Sequence, residues 1–284
     1  RVISDRREQL IEFYGLDQPW YYRLPDMVFR ILTLDLGEAR TLRSFSGSNR
    51  VSDIVIERLP NTLILVTSAM FVTSLIGLYV GVKVATQVGS RFERAVSYFS
   101  AISYALPAWW LGIIFIILFA FQLRILPSSG MFSVPPPTEP LARFFDRLWH
   151  AILPVFTLII VSIGPWAYAV RTMVLNISQE DFVNVARAKG LPENLVMRRH
   201  IVRVAAPPIV TSLILGLTGS LGGAILTETV FGWPGMGRLY YEAVLAADES
   251  VIVALTFMFT LLYVIARFIL EILYVILDPR IRYK

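Results

Sequence analysis

Long stretches free of Asp, Glu, Lys and Arg alternate along this chain with short segments that carry nearly all the charge. Residues 59–82, 95–123, 148–170 and 204–227 are such stretches, of 24, 29, 23 and 24 residues; 250–277 is a fifth, of 28, interrupted only by Arg267 and Glu271. A helix rises about 1.5 Å per residue and the hydrocarbon layer of a bilayer is about 30 Å thick, so roughly 20 apolar residues suffice to cross it. Five membrane-spanning helices are expected. Residues 1–58 hold nine Arg and nine acidic side chains and cannot cross. They read as an outer N-terminal region, and 59–284 as the membrane domain. Pro107, Pro154 and Pro165 fall inside charge-free stretches and predict kinks.

The connecting segments fix an orientation. The 83–94, 171–203 and C-terminal segments carry net charges of +2, +3 and +2, with three, six and three basic residues. The 1–58, 124–147 and 228–249 segments carry 0, +1 and −3. Basic residues collect on the cytoplasmic side of a membrane. The side totalling +7 is therefore expected inside, with the C-terminus, and Arg1 outside. The chain opens at Arg1 with no initiator Met or signal-peptide pattern, and an outer Arg1 calls for a further helix upstream; a sixth, first helix is expected there.

Composition narrows the chemistry. Of the 284 residues 56% are apolar and 17% charged, against roughly 45–50% and 25% in soluble domains, and mean hydropathy is +0.63. There is no Cys, so disulfides and thiolate chemistry are excluded. His150 and His200 have no metal-ligand company at suitable spacing. No span holds two acidic residues, and no His-Glu-x-x-His or Gly-x-Ser-x-Gly pattern occurs, which argues against an intramembrane enzyme. No phosphate-binding Gly-rich loop ending in Gly-Lys-Ser/Thr occurs either, so ATP binding through that motif is not expected. An ion-coupled secondary transporter would show an internal repeat and mid-span charges; one pair, Arg267 and Glu271, lies in the last stretch.

The 171–203 segment is too organised for a plain connector. Ser178 followed by Gln179, Glu180 and Asp181 has the look of an N-cap with acids in the first turn. Phe182, Val185, Ala186 and Lys189 recur at helical spacing, Gly190 fits a helix stop, and a second basic helix with Arg198, Arg199 and Arg203 follows Pro192. Two short helices with so few apolar residues must lie on something: the bilayer surface or a cytoplasmic partner.

The run Asp181-Phe182-Val183-Asn184-Val185-Ala186-Arg187-Ala188-Lys189-Gly190-Leu191 resembles the EAA loop of ABC-importer permeases, in the version of the dipeptide/oligopeptide permease family. Further similarities run along the chain: Gly15-Leu16-Asp17-Gln18-Pro19, Asp35-Leu36-Gly37, Glu57-Arg58-Leu59-Pro60-Asn61-Thr62, Leu126-Pro127-Ser128-Ser129-Gly130, Glu228-Thr229-Val230-Phe231-Gly232-Trp233-Pro234-Gly235-Met236-Gly237-Arg238 and Leu277-Asp278-Pro279-Arg280-Ile281-Arg282-Tyr283. Asn184 stands where the general pattern has Glu, and Arg203 where it has Pro. The resemblance implies an all-α polytopic membrane protein of the type I ABC-importer permease fold. It implies a second homologous permease, two cytoplasmic ATPases carrying ATP and Mg, an external substrate-binding protein, and no cofactor or nucleic acid on this chain. Di- or oligopeptides are the implied cargo, with oligosaccharides or nickel as alternatives. The EAA loop would be the coupling helix: Phe182, Val185 and Ala186 an apolar key, Arg187 and Lys189 rim charges, Asp181 and Ala188 within the same run, Gly190 a sharp turn.

Other residues admit two readings. The run 231–237 holds three Gly and one Pro, so it is no lipid-exposed helix; Trp233, Pro234 and Gly235 belong either to an outer gate beside the pathway or to an interfacial turn with Trp233 in the headgroups. Gly216, Gly219, Gly222 and Gly223 suit close helix approach, within the chain or along the pathway. Arg267 and Glu271, four apart, suit an ion pair. Glu228 sits at the outer end of its span and reads as structural, and Pro135-Pro136-Pro137 as a stiff outer loop or a spacer.

Overall fold

A computed structural model describes residues 35–277 without interruption, scattered positions before them, and side chains throughout that range except 217–223 and 273–277. The motif at 15–18 and the tail 278–283 lie outside the described residues. Two compact units divide the chain: Arg1–Glu57 with Ala243–Met258, and Arg58–Glu242 with Phe259–Lys284. Among the described residues the secondary structure is helical, apart from one isolated antiparallel bridge between Glu38 and Arg50.

In the first unit that bridge closes a loop. The Ala39 amide donates to Asn49 O at 2.7 Å, and the Ser44 amide to Ser48 O at 2.9 Å. Asp248 is buried and accepts three hydrogen bonds: from the Thr41 amide (2.9 Å), the Thr41 hydroxyl (3.1 Å) and the Leu42 amide (3.4 Å). Burial opposes its ionisation, but these amides and the hydroxyl outweigh it and hold the carboxyl below the usual Asp range.

From Val51 onward the described residues form nine helices: α1 Val51–Ala85, α2 Arg91–Ala105, α3 Ala108–Phe115 with a π-helical continuation Ile116–Gln122, α4 Pro140–Ser178, α5 Asp181–Ala188, α6 Glu193–Leu195 with a π-helical continuation Val196–Val202, α7 Arg203–Val230, α8 Met236–Leu245 and α9 Glu249–Leu277. α1, α4 and α9 are long and apolar enough to cross a membrane. α7, of 28 residues, has a length of about 42 Å.

The second expected span is not straight. α2 and α3 meet at a break and are bent by 97°. Pro107 has no amide hydrogen and pushes its predecessor out of the helical region, and Leu106 is extended at φ −87°, ψ 122°. α4, by contrast, runs through Pro154 and Pro165 without interruption. Ser90 caps α2, its Oγ accepting from the Glu93 amide at 3.0 Å, while Glu93 Oε2 reaches back past the cap to accept from the Gly89 amide at 2.5 Å. Glu93 also pairs with Arg171 of α4, and α2 packs along α4, where Gly164 lies against Phe99 and Ser100.

Among the described residues of the second unit, two buried apolar clusters join the helices. One joins Leu65 and Val66 of α1, Ala151 of α4, Ala224 of α7 and Trp233. The other joins Ala85 of α1, Val170 and Val174 of α4, Val183 and Ala186 of α5, Val196 and Ile201, and Ala205 and Ile209 of α7. The expected pair between Arg267 and Glu271 does not form: both side chains are exposed on α9, and no ion pair joins them among the described residues.

Candidate functional site

The 171–203 segment folds as a hairpin with two faces. Val183 and Ala186, three apart on α5, are 0% and 4% exposed and enter the second cluster; Phe182 and Val185 are 42% and 52% exposed. Ala186, expected in the outward key, therefore faces inward, and Val183, passed over in the sequence, accompanies it. The short helices do share a core, contrary to expectation, because the ends of α1, α4 and α7 supply its other residues.

The turns are set locally. Ser178 does not cap α5; α4 continues through it and its hydroxyl donates to Leu175 O at 2.7 Å. Glu180 is the N-cap, without a side-chain cap bond, and Asp181 supplies the acid of the first turn. At the other end the Leu191 amide reaches Ala186 O (3.4 Å) and the Gly190 amide Arg187 O (2.9 Å), a Schellman motif with Gly190 at φ +75°. A Cβ at Gly190 would meet nothing within 4 Å, so the backbone angle alone selects glycine.

Arg187, expected at the rim, is engaged within the hairpin. It grips Glu193 with two bonds, Nη2 to Oε1 at 2.8 Å and Nε to Oε2 at 3.1 Å, and its Nη1 donates to Ser178 O at 3.4 Å. That ties α4, α5 and α6 to one another, and the guanidinium holds the Glu193 carboxyl below the usual Glu range. Ala188, Lys189 and Gly190 are exposed. Apart from Arg187, the outward face of the helix and its end thus carries Asp181, Phe182, Asn184, Val185, Ala188 and Lys189.

The 231–237 turn is buried, not seated in headgroups. Trp233 is 0% exposed and its indole donates to Asn61 O of α1 at 3.0 Å, while Asn61 Nδ2 donates to Pro234 O at 2.8 Å. Glu228, fully buried, accepts from the Thr62 hydroxyl (2.7 Å) and the Arg238 amide (2.9 Å), and the Met236 amide donates to Thr62 Oγ1 (2.7 Å). Arg238 continues the network to Gly232 O and Glu242, both at 2.7 Å. A Cβ at Gly235 would overlap the Glu228 carboxylate, so only glycine lets the turn close over it. Glu228 is the anchor of this turn, which agrees with the structural reading of its carboxylate and names the partners it holds. Gly216 borders open space; the surroundings of Gly219, Gly222 and Gly223 lie outside the described side chains. Among the described residues no cluster of His, Cys, Asp or Glu is placed to hold a metal.

Residues 73–283 match the family described as binding-protein-dependent transport system inner membrane component. The chain belongs to this family. The permease is 33% identical over 283 residues to the oligopeptide transport system permease protein AppB of Bacillus subtilis, covering 100% of this chain and 87% of that protein. It is 32% identical over 298 residues to the di/tripeptide transport system permease protein DppB of Pseudomonas aeruginosa, again covering 100% and 87%. Among solved structures, the inward-facing MetNI methionine ABC transporter matches with a TM-score of 0.59 at 19% identity, over 79% of this chain and 98% of that one. An amino acid ABC transporter matches at 0.55 and 17%, over 78% and 93%. The permease fold and a multi-pass inner-membrane protein follow.

Proposed function

We propose that this chain is one permease half of an ATP-driven importer of di- or oligopeptides, and that work done by a cytoplasmic ATPase enters it through α5. The cargo class is supported by the similarity to the oligopeptide and di/tripeptide permeases along the whole chain. The entry point is supported by one observation above all: α5 presents Phe182 and Val185 outward while Val183 and Ala186 lock it to α1, α4 and α7. A helix so fastened passes a push to three long helices as a rigid body.

The remaining parts of the machine follow from this reading. A second, homologous permease supplies the other half of the pathway. Two ATPase subunits hold ATP and Mg below, and an external binding protein delivers the peptide. The 171–203 hairpin and the C-terminus face the cytoplasm, in keeping with the basic residues on that side. The chain itself performs no chemistry.

The test is reconstitution of the full complex in proteoliposomes. Expected is ATP hydrolysis stimulated by peptide-loaded binding protein, with uptake of labelled tripeptide but not of an oligosaccharide or nickel, and no hydrolysis by the purified permease alone. Stimulation by a sugar or nickel in place of peptide overturns the cargo assignment. A complex in which cross-links from α5 reach only lipid overturns the coupling assignment.

A further inference from the structure

A cavity of about 210 Å³ lies within the second unit between α1, α4 and α7. Val66, Ala69, Met70, Leu158, Trp166 and Leu213 give it apolar walls, and Thr73, Ser74, Ser162 and Ser212 add hydroxyls. Those hydroxyls sit near the middle of charge-free stretches, where polar groups turn toward protein or a water-filled passage rather than lipid. Ser162 and Gly216 are exposed, so the cavity opens to the surface of this chain, and a Cβ on Gly216 would meet nothing within 4 Å. Thr73 is buried on its wall with a hydroxyl that has no hydrogen-bond partner among the described residues. An unpaired buried hydroxyl is costly, and a visiting group with one polar edge would satisfy it.

Size and chemistry limit the visitor. An apolar cavity of about 150 Å³ binds benzene; this one admits a single benzenoid or branched aliphatic side chain. We infer that it is a side-chain pocket on the translocation pathway, taking one apolar or aromatic side chain of a peptide in transit, so that the permease adds its own selectivity to that of the binding protein. The pocket rests on the peptide-permease reading above. Gly216 keeps the mouth open, and Trp166 and Leu158 form walls against which a ring packs.

These 284 residues hold no Cys, so thiols can be placed one at a time on the cavity, with the assembly lacking the introduced Cys as the labelling control. Ser212→Cys and Ser162→Cys are each treated with a charged, water-soluble methanethiosulfonate during turnover, with trialanine or with Ala-Phe-Ala as cargo. Both thiols are expected to react, and Ala-Phe-Ala to slow the reaction where trialanine does not. Gly216→Leu, which fills the mouth, is expected to lower uptake of Ala-Phe-Ala relative to trialanine by about tenfold. Thiols that react only with a lipid-soluble maleimide place this face against lipid and overturn the pocket. So does equal protection by both peptides, or an unchanged uptake ratio in Gly216→Leu. A wild-type complex that imports neither peptide overturns the transport function itself, which is distinguishable from a complex that imports both and treats them alike in the variant.

Discussion

Phe182 and Val183 are neighbours in sequence on α5, one exposed and the other buried, so truncating each separates docking from folding. Val183→Ala removes two methyl groups from a fully buried site surrounded by Val170, Val174, Val196 and Ile201. Transfer of two methyls is worth about 1.6 kcal/mol, and the cavity left behind brings the loss to roughly 2–3 kcal/mol. Phe182 is 42% exposed, and its truncation is expected to change the permease's own stability by less than about 1 kcal/mol. An aromatic anchor seated in a partner's cleft contributes about 2 kcal/mol or more, which is roughly a 30-fold loss of affinity. The assay has two readouts on the same nanodisc-embedded permease: thermal melting alone, and titration with the partner ATPase. Val183→Ala should melt earlier and retain affinity once folded; Phe182→Ala should melt as wild type and bind weakly. If Phe182→Ala destabilises the permease as much as Val183→Ala while ATPase affinity stays unchanged, α5 is merely a folding element and the docking assignment fails.

Gly190→Ala should cost about 1–2 kcal/mol from the positive φ alone, Gly190→Val more and Gly190→Asn less, because no neighbour lies within 4 Å to add a clash; melting of the three variants in nanodiscs gives the order, and Ala equal to Asn would contradict it. Trp233→Ala should cost about 3–5 kcal/mol, since the indole is buried and bonded to Asn61 O, whereas an interfacial Trp would cost far less; melting in detergent decides between them. Asp248 has a lowered pKa in the folded chain, so the stability it lends is complete above the usual Asp range, near pH 4, and disappears as pH falls through the lowered value. Asp248→Asn should accordingly flatten the acid limb of a melting-temperature profile, and an unchanged limb would show that another carboxylate controls it.

The charge-free stretches made the helices legible, because a segment that must satisfy every backbone group inside a bilayer has few alternatives to a helix. The break after Leu106 was legible as a kink at Pro107, though not as a bend of 97°. Facing was not legible. In a soluble helix the apolar stripe marks the core, but here lipid is as apolar as the interior, so Leu and Val give no direction. Trp233 illustrates this: the preference of indole for headgroups favours an interfacial seat, and only its bond to Asn61, 172 residues away in sequence, reveals the buried one. Ser178 failed as a cap for a different reason. Its hydroxyl can serve Leu175 O as easily as a following helix start, and the continuation of α4 decided between them. Gly190 was legible because a positive φ after a helical run leaves few choices of residue.

α1 and α7 are fastened to common structure near both of their ends. At one end Ala85 of α1 and Ala205 and Ile209 of α7 share one cluster with α5. At the other end Asn61 and Thr62 of α1 hold Trp233, Pro234 and Met236, and Glu228 of α7 accepts from Thr62. Between these clamps the two helices and α4 border the cavity, where packing is absent. A displacement of α5 therefore has two routes: both helices move as one body and carry the 231–237 turn with them, or they bend at the cavity, where the space between them is unfilled. The two routes separate in one variant. Filling the cavity through Gly216→Leu stiffens the middle; if motion is rigid, ATPase stimulation by loaded binding protein survives it, and if bending carries the motion, stimulation falls along with uptake of every peptide. Rigid transmission is expected, because Glu228 and Trp233 bind the 231–237 turn to α1 and α7 through hydrogen bonds of 2.7–3.0 Å, and a bend at the cavity would leave that turn behind.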